Sequence, residues 1–278
     1  MVCTDYCLAS PNFPTTSQVL SPTLPGAVPN GFVMKILGPP VVLPGGVTSG
    51  ASFSPKPVAA GSIVSVFGLG LAGGVVAATE TPLPRSLEAT SARMGQTDAP
   101  VDFVTPNQIN LQVPWELQGQ AESRLEVRVA GSTSPPIDLQ LAEYSPGIFG
   151  MGGTQGAVLI ANTILLAAPA NAVAGRTSRP VRRGEAISIY CTGLGPVAGD
   201  VSTGSPAPST ALIPTRTLPE VRIGGARAEV LFSGLAPELT GVYQVDAVIP
   251  AGAPSGSAVS VSLSIGTIES NVVTIAIE

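Results

Sequence analysis

Prolines and glycines divide this chain into short segments along its whole length. The 278 residues include 28 prolines and 32 glycines. A proline inside an α-helix costs about 3 kcal/mol and a glycine about 1 kcal/mol, so this spacing disfavours long helices. The intervening segments are apolar and of strand length, as at 62–67, 125–129 and 259–265. Because the last two alternate apolar and polar residues, we predict strands with one face in a core and the other in water.

The sequence also repeats itself over a long spacing. Three segments recur in the same order: 61–71 as 184–194, 108–114 as 244–250, and 137–141 as 273–277. A repeat of this length indicates two copies of one domain rather than a solenoid of short units. We therefore predict an all-β fold, with two tandem Ig-like β-sandwich domains at 47–150 and 151–278. An extended proline-rich N-terminal segment at 1–46 precedes them.

The N-terminal segment carries one apolar run of strand length, bounded by Gly31 and Gly38. Its apolar residues are Phe32, Val33, Met34, Ile36 and Leu37. Because prolines keep the rest of the segment extended, this run is a candidate strand for addition to the sheet of a neighbouring subunit. The alternative is that it forms the first strand of its own first domain.

An apolar stretch at 156–175 is long enough to raise the question of a membrane helix. Asn162, Thr163, Pro169 and Asn171 interrupt it, so a spanning helix fits poorly. We predict instead a β-hairpin over 157–168 that turns at Asn162 and Thr163. No transmembrane segment is predicted, and no signal peptide is visible at the start of the chain.

The residues that the chain lacks exclude several kinds of chemistry. There is no histidine, which removes Ser-His-Asp and Cys-His catalysis and imidazole metal ligands. The formal net charge of −5 argues against a nucleic-acid partner. No Asp-x-Asp-x-Asp calcium loop is present either. We predict no catalytic residues, no cofactor and no metal site, and hence a protein that is not an enzyme.

The three cysteines allow at most one disulfide within the chain. Cys3 and Cys7 form a candidate disulfide across a turn, or between two chains. Cys191 lies in an apolar run, which favours a small buried side chain over a nucleophile.

Four motifs carry a resemblance to a known family. They are 107–116 (NQINLQVPWE), 145–149 (SPGIF), 190–196 (YCTGLGP) and 241–250 (GVYQVDAVIP). Together they resemble the uncharacterised C-terminal domain family of large secreted proteins of acidobacteria, from about residue 47 to the end of the chain. The resemblance implies an extracellular, Ig-like β-rich module and brings no catalytic residues with it.

A polar cluster precedes the single tryptophan of the chain. It comprises Asn107, Gln108, Asn110 and Gln112 beside Trp115, and Gln244 and Asp246 take equivalent positions in the second copy. One interpretation is a ligand or glycan contact beside an exposed tryptophan. The other is structural, with buried amides that bridge two sheets and satisfy backbone groups. The recurrence of the cluster in both copies favours the structural interpretation.

These features predict a non-enzymatic extracellular or cell-surface module with a structural or adhesive role, such as the subunit of a self-assembling surface filament. Its partners are then further copies of itself or other surface proteins. The alternative is a carbohydrate- or protein-binding module appended to a secreted enzyme.

Overall fold

A computed structural model describes residues 38–278 of this chain. Those residues contain 23 β-strands, one three-residue 3₁₀ helix at Trp115–Leu117 and no α-helix. They form two sandwiches, each with two sheets around its own apolar core. The prediction of an all-β fold with two tandem Ig-like β-sandwiches is confirmed.

Eleven strands build the first sandwich: β1 (Val41–Ser49), β2 (Ile63–Leu69), β3 (Val76–Ala77), β4 (Ser86–Leu87), β5 (Thr90–Met94), β6 (Thr97–Ala99), β7 (Val101–Val104), β8 (Gln108–Gln112), β9 (Glu122–Val129), β10 (Ser132–Thr133) and β11 (Ile137–Gln140). Sheet I has the order β1-β2-β8-β7-β3. Sheet II has the order β10-β9-β5-β4, with β11 also paired to β9 and β6 to β5.

Twelve strands build the second sandwich: β12 (Gly147–Ile148), β13 (Val158–Ile160), β14 (Leu166–Ala167), β15 (Ser178–Arg179), β16 (Ala186–Thr192), β17 (Glu220–Ile223), β18 (Ala226–Ala228), β19 (Val230–Leu235), β20 (Tyr243–Val248), β21 (Gly256–Ile265), β22 (Ile268–Glu269) and β23 (Val273–Ile277). Sheet III has the order β15-β14-β13-β16-β20-β19, with β12 also on β16. Sheet IV has the order β18-β17-β21-β22, with β23 also on β21.

The strands follow from the alternation of their residues. Along β20, Tyr243, Val245 and Ala247 point into the core of the second sandwich, whereas Gln244 and Asp246 point away from it. Successive side chains of a strand lie on opposite faces, so each buried apolar row also places a polar row on the outer face of the sheet. The outer faces of sheets I and III are therefore where the predicted polar cluster lies.

The two sandwiches repeat one arrangement of strands. The segments matched in the sequence occupy equivalent strands: β2 and β16, β8 and β20, β11 and β23. A shift of register recurs as well. The pairing of β7 with β8 shifts between Val101 and Phe103, and the pairing of β19 with β20 shifts between Val230 and Phe232. The repeat in the sequence thus corresponds to a repeat in the fold.

The limits of the sandwiches differ slightly from the predicted domain boundaries at 46 and 150. β1 begins at Val41, and Pro44 lies in a shift of register between Val42 and Val47. Such an irregularity tolerates a residue without a backbone N–H, which is why a proline does not prevent this strand. At the other limit β12 starts at Gly147 and pairs with β16, so the second sandwich begins before residue 151.

The apolar stretch at 156–175 contains the predicted hairpin. β13 and β14 pair antiparallel through Leu159 and Leu166. Asn162 adopts the left-handed conformation, with φ of 60°, and the Thr163 hydroxyl donates to the Ile160 carbonyl at 2.7 Å. Within residues 38–278 there is no helix with the length and apolarity needed to cross a membrane.

Two predictions fall on the part of the chain before residue 38. The candidate donated strand (Phe32, Val33, Met34, Ile36 and Leu37) and the candidate disulfide (Cys3 and Cys7) lie outside the described residues. Both stay predictions.

The repeat also reproduces a buried hydrogen bond between a serine and the backbone. In the first sandwich the Ser134 hydroxyl accepts from the Val127 N–H at 3.0 Å. In the second, the Ser270 hydroxyl accepts from the Leu263 N–H, also at 3.0 Å. Both hydroxyls are buried, so removing either leaves a backbone donor without its partner.

We expect Ser134→Ala and Ser270→Ala each to lower the free energy of unfolding by about 1–3 kcal/mol, the usual cost of a buried unpaired donor. Because the two serines belong to different sandwiches, the losses should add in the double variant. Urea denaturation measures both effects, with Ser132→Ala at an exposed position as the control. If both variants are as stable as the control, the shared hydrogen bond contributes nothing to either copy.

Candidate functional site

The polar cluster of the first copy lies on the outer face of sheet I. Gln108 and Asn110 point away from the core because Ile109 and Leu111, between and beside them, point into it. The Gln108 amide donates to Asn110 Oδ1 at 2.8 Å, and the Ser65 hydroxyl donates to the same oxygen at 2.8 Å. These amides therefore bond to their neighbours within one face and do not bridge two sheets.

Asn107 has the role that the structural interpretation assigned to the cluster. Its Nδ2 donates to the Gly68 carbonyl at 3.3 Å, beyond the end of the β8 ladder. A side-chain amide thereby satisfies a backbone carbonyl where the pairing of the two strands stops.

The second copy places an equivalent cluster on sheet III. The Gln244 amide nitrogen donates to both carboxylate oxygens of Asp246, at 2.9 and 3.1 Å. In register across the strands, Ser65 faces Asn110 and Phe67 faces Gln108, while Ser188 faces Asp246 and Tyr190 faces Gln244. The second copy thus replaces a phenylalanine by a tyrosine and an asparagine by an aspartate.

The second cluster forms the floor of an open trough of about 490 Å³. The β13–β14 hairpin borders it on one side, through Leu159 and Ile164, and Leu231 borders it on the other. Ile164 and Leu231 are 83% and 55% exposed, so the rim is apolar and accessible. We call this feature the sheet III trough.

Tyr190 is protonated at the pH of most environments. Burial raises the pKa of its hydroxyl above the usual value of 10.0, and the negative charge of Asp246 raises that pKa further. The tyrosine therefore remains a hydrogen-bond donor beside a carboxylate that can only accept. The floor of the trough thus offers donors and acceptors side by side.

Trp115 is not the exposed residue that a ligand contact in the first copy would need. It is half-buried, and its side chain packs against the core of the second sandwich. A side chain on Gly61 would overlap the indole ring, since a Cβ built there lies 2.2 Å from it. The Trp115 backbone N–H donates to the Thr203 hydroxyl at 2.9 Å. Trp115 therefore belongs to the junction between the sandwiches.

Gln112 is the amide of this region that becomes fully buried. Its Nε2 donates to the Gly61 carbonyl at 3.2 Å, and its Oε1 accepts from the Gly204 N–H at 2.7 Å. Gly204 belongs to the second sandwich, so this side chain joins the two domains. The repeat could have indicated that Gln112 has a role beyond its own sandwich. Val248 occupies the same position in the second copy, so the fold itself does not require an amide there.

The junction contains further polar contacts that no sequence motif predicts. The Thr203 hydroxyl donates to Glu116 Oε2 at 2.6 Å, and the Ile63 N–H donates to the Thr192 hydroxyl at 3.0 Å. Thr192 in turn donates to the Gly241 carbonyl at 2.8 Å. Thr203 lies in no recognisable motif, and its role follows from the tertiary structure alone.

The described residues give little scope for metal or thiol chemistry. Among residues 38–278 no three His, Cys, Asp or Glu side chains are grouped as they would be around a metal ion. Cys191 is completely buried in the core of the second sandwich, and burial raises the pKa of its thiol well above the usual range. A thiol in this setting stays protonated and is a poor nucleophile.

The fold and the two clusters define an all-β protein of duplicated Ig-like sandwiches. No protein-family model matches the chain, and no curated protein does.

Among solved structures, the chain is similar to the D00-D0 domain of Intimin, with 10% identity and a TM-score of 0.18 over 83% of this chain and 99% of that one. It is also similar to MfFcnA9, an endo-fucoidan hydrolase of glycoside hydrolase family 107, with 10% identity and a TM-score of 0.15 over 84% of this chain and 35% of that one. Both TM-scores are too low to bear on activity or ligands.

Proposed function

We propose that this chain is a non-enzymatic structural or adhesive module of an extracellular or cell-surface protein, in which the two sandwiches act as one rigid unit. The observation that carries the proposal is the polar junction. Gln112, Thr192 and Thr203 each pair with groups of the opposite sandwich. A module that transmits force or holds a surface at a fixed distance requires such a fixed relation between its domains.

The junction restrains rotation because its hydrogen bonds are shielded from water. Gln112 is 0% exposed, and Thr192 and Thr203 are also buried. A hinge motion would separate these groups before water could replace their partners, at about 1–3 kcal/mol for each unpaired group. Relative motion of two domains is the default unless apolar packing also holds them together, and here Trp115 packs against the core of the second sandwich beside these hydrogen bonds.

The chemistry of the chain supports a role outside catalysis. With no histidine in the sequence, a general base with a pKa near neutrality is difficult to assemble. The Cys191 thiol is inaccessible in the core. The extracellular location is proposed from the resemblance of four sequence motifs to secreted acidobacterial proteins.

Self-assembly is part of this proposal. A rigid body that donates a strand from its N-terminal segment to the next copy makes a head-to-tail contact, which extends as a filament rather than closing. The donated strand is the run with Phe32 and Leu37 at its ends. A deletion of residues 1–37 would leave β1 intact, because this strand begins at Val41.

A substitution in the full-length chain tests assembly without a truncation. Met34→Pro removes one backbone donor from the run and should abolish concentration-dependent assembly in size-exclusion chromatography and negative-stain microscopy. Thr16→Pro, outside the run, is the matched control and should assemble like the unmodified chain. If the unmodified protein is a monomer at all concentrations, or if Met34→Pro assembles normally, strand donation is wrong.

Turnover of polysaccharide or ester substrates that one carboxylate substitution abolishes would overturn the non-enzymatic role.

A carbohydrate- or protein-binding module is the second candidate function. The observation that favours it is the sheet III trough, which offers an accessible surface with both donors and acceptors.

A further inference from the structure

The two copies of the polar cluster differ in how many of their hydrogen-bond acceptor positions remain free to bind a ligand. In the first copy, Asn110 Oδ1 receives hydrogen bonds from both Ser65 and Gln108. Phe53 lies beside Phe67, with ring centroids 6.2 Å apart, and so covers the aromatic member of the cluster. In the first copy the Asn110 acceptor oxygen and the aromatic side chain are thus already engaged within the protein.

The second copy is open at the same positions. Gln244 supplies one amide nitrogen to Asp246, whose two oxygens can accept about four hydrogen bonds between them. The hydrogen bonds from Gln244 therefore orient the Asp246 carboxylate. The acceptor positions that remain on its two oxygens face the trough. Tyr190 and Ser188 line the same floor, with no phenylalanine corresponding to Phe53 among the lining residues.

We propose that the sheet III trough binds a neutral carbohydrate, with sugar hydroxyls hydrogen-bonded to Asp246 and Gln244 and a sugar C–H face against Tyr190. This inference rests on the second candidate function, the binding module, and names its ligand class and its residues. It assigns binding to the second copy and not to the first.

The lining of the trough has the chemistry that a sugar needs. Its polar side chains are Asn162, Thr163, Ser188, Tyr190, Gln244 and Asp246, of which Asp246 alone is acidic. Vicinal hydroxyls of a sugar can donate to a carboxylate and accept from the adjacent amide, while its C–H groups contact apolar or aromatic surface. The Leu159 and Leu231 side chains supply such surface on the two sides.

The charge of the trough separates this ligand class from others. An anionic glycan would face repulsion from Asp246, with no lining arginine or lysine to offset it. A cationic peptide would find a single acidic side chain in the lining, Asp246, among uncharged groups. A neutral glycan uses the whole set.

Affinity electrophoresis of the full-length chain tests the inference. Native gels contain hydroxyethyl cellulose, laminarin, xyloglucan or galactomannan as neutral probes, and alginate as the anionic probe. We expect at least one neutral polysaccharide to retard the protein, and alginate not to. The double variant Tyr190→Phe with Asp246→Asn installs the residues of the first copy and should weaken retardation at least tenfold, as should Gln244→Ala.

Matched substitutions in the first copy provide the control. Gln108 and Asn110 occupy the repeat positions of Gln244 and Asp246, so Gln108→Ala and Asn110→Ala should leave retardation unchanged. Thermal unfolding shows whether each variant is folded. The inference is overturned if none of the four neutral polysaccharides retards the protein, if the first-copy variants lose retardation equally, or if alginate alone retards the protein. Met34→Pro should bind polysaccharide normally, so failure here is distinguishable from failure of the assembly proposal.

Discussion

Gly193→Ala is expected to be the most damaging single-methyl change in the second sandwich, with a loss of about 4 kcal/mol or more in the free energy of unfolding. Gly193 follows β16 and has φ of 78°, a left-handed conformation that costs alanine about 1–2 kcal/mol. A Cβ there would also lie 2.0 Å from the Ser145 carbonyl oxygen. Because that oxygen is part of the backbone, it cannot move aside cheaply.

Gly70→Ala is the matched control for this effect. Gly70 occupies the same position of the repeat and also has a left-handed backbone, with φ of 64°. Its added Cβ would meet nothing closer than 4.0 Å, the distance to the Pro40 Cα. The control should therefore show the conformational cost alone. Urea denaturation of both variants separates the two costs, and equal losses would show that the contact with Ser145 is unimportant.

Gln112→Ala is expected to lower the free energy of unfolding by about 2–5 kcal/mol, because it leaves two buried backbone groups unpaired. These are the Gly61 carbonyl and the Gly204 N–H, one in each sandwich. Since the side chain joins the domains, calorimetry of the variant should also show a loss of cooperativity between them. Gln118→Ala, at an exposed position, should match the unmodified protein.

A second variant separates the hydrogen bonds of Gln112 from its packing. Gln112→Val installs the residue of the second copy, Val248, and fills much of the space but restores neither hydrogen bond. We expect it to be nearly as unstable as Gln112→Ala. If Gln112→Val recovers the stability of the unmodified chain, packing and not pairing holds the two sandwiches together at this point.

The strands and their duplication could be predicted because their signals are local. Alternation along a strand and turn residues at its ends act within a few positions, as in the hairpin that turns at Asn162. The matching of 108–114 with 244–250 likewise identified β8 and β20 as equivalent strands. The start of β1 was missed because Pro44 imitates a strand terminator, whereas a shift of register accommodates it.

The candidate site was predicted in part. The residues Gln108, Asn110, Gln244 and Asp246 were singled out, and they do cluster on outer sheet faces. Their sequence environment could not show which copy is open, since that depends on Phe53 in the first copy and on the β13–β14 hairpin in the second. Neither Tyr190 nor Ser188 stood out, because each looks like an ordinary member of an apolar strand.

The all-β class, the two copies and the rows of side chains that face in and out could be predicted from the residues alone, because backbone conformation and burial pattern depend on near neighbours. Tertiary contacts alone give different environments to three polar or amphipathic side chains that the sequence analysis placed in one cluster. Gln108 lies on an outer face, Gln112 is sealed in the junction, and Trp115 packs on the opposite sandwich. What separates them is contact with Thr203 and Gly204, about 90 residues away along the chain. Burial by so distant a segment leaves no trace in the local pattern of residues.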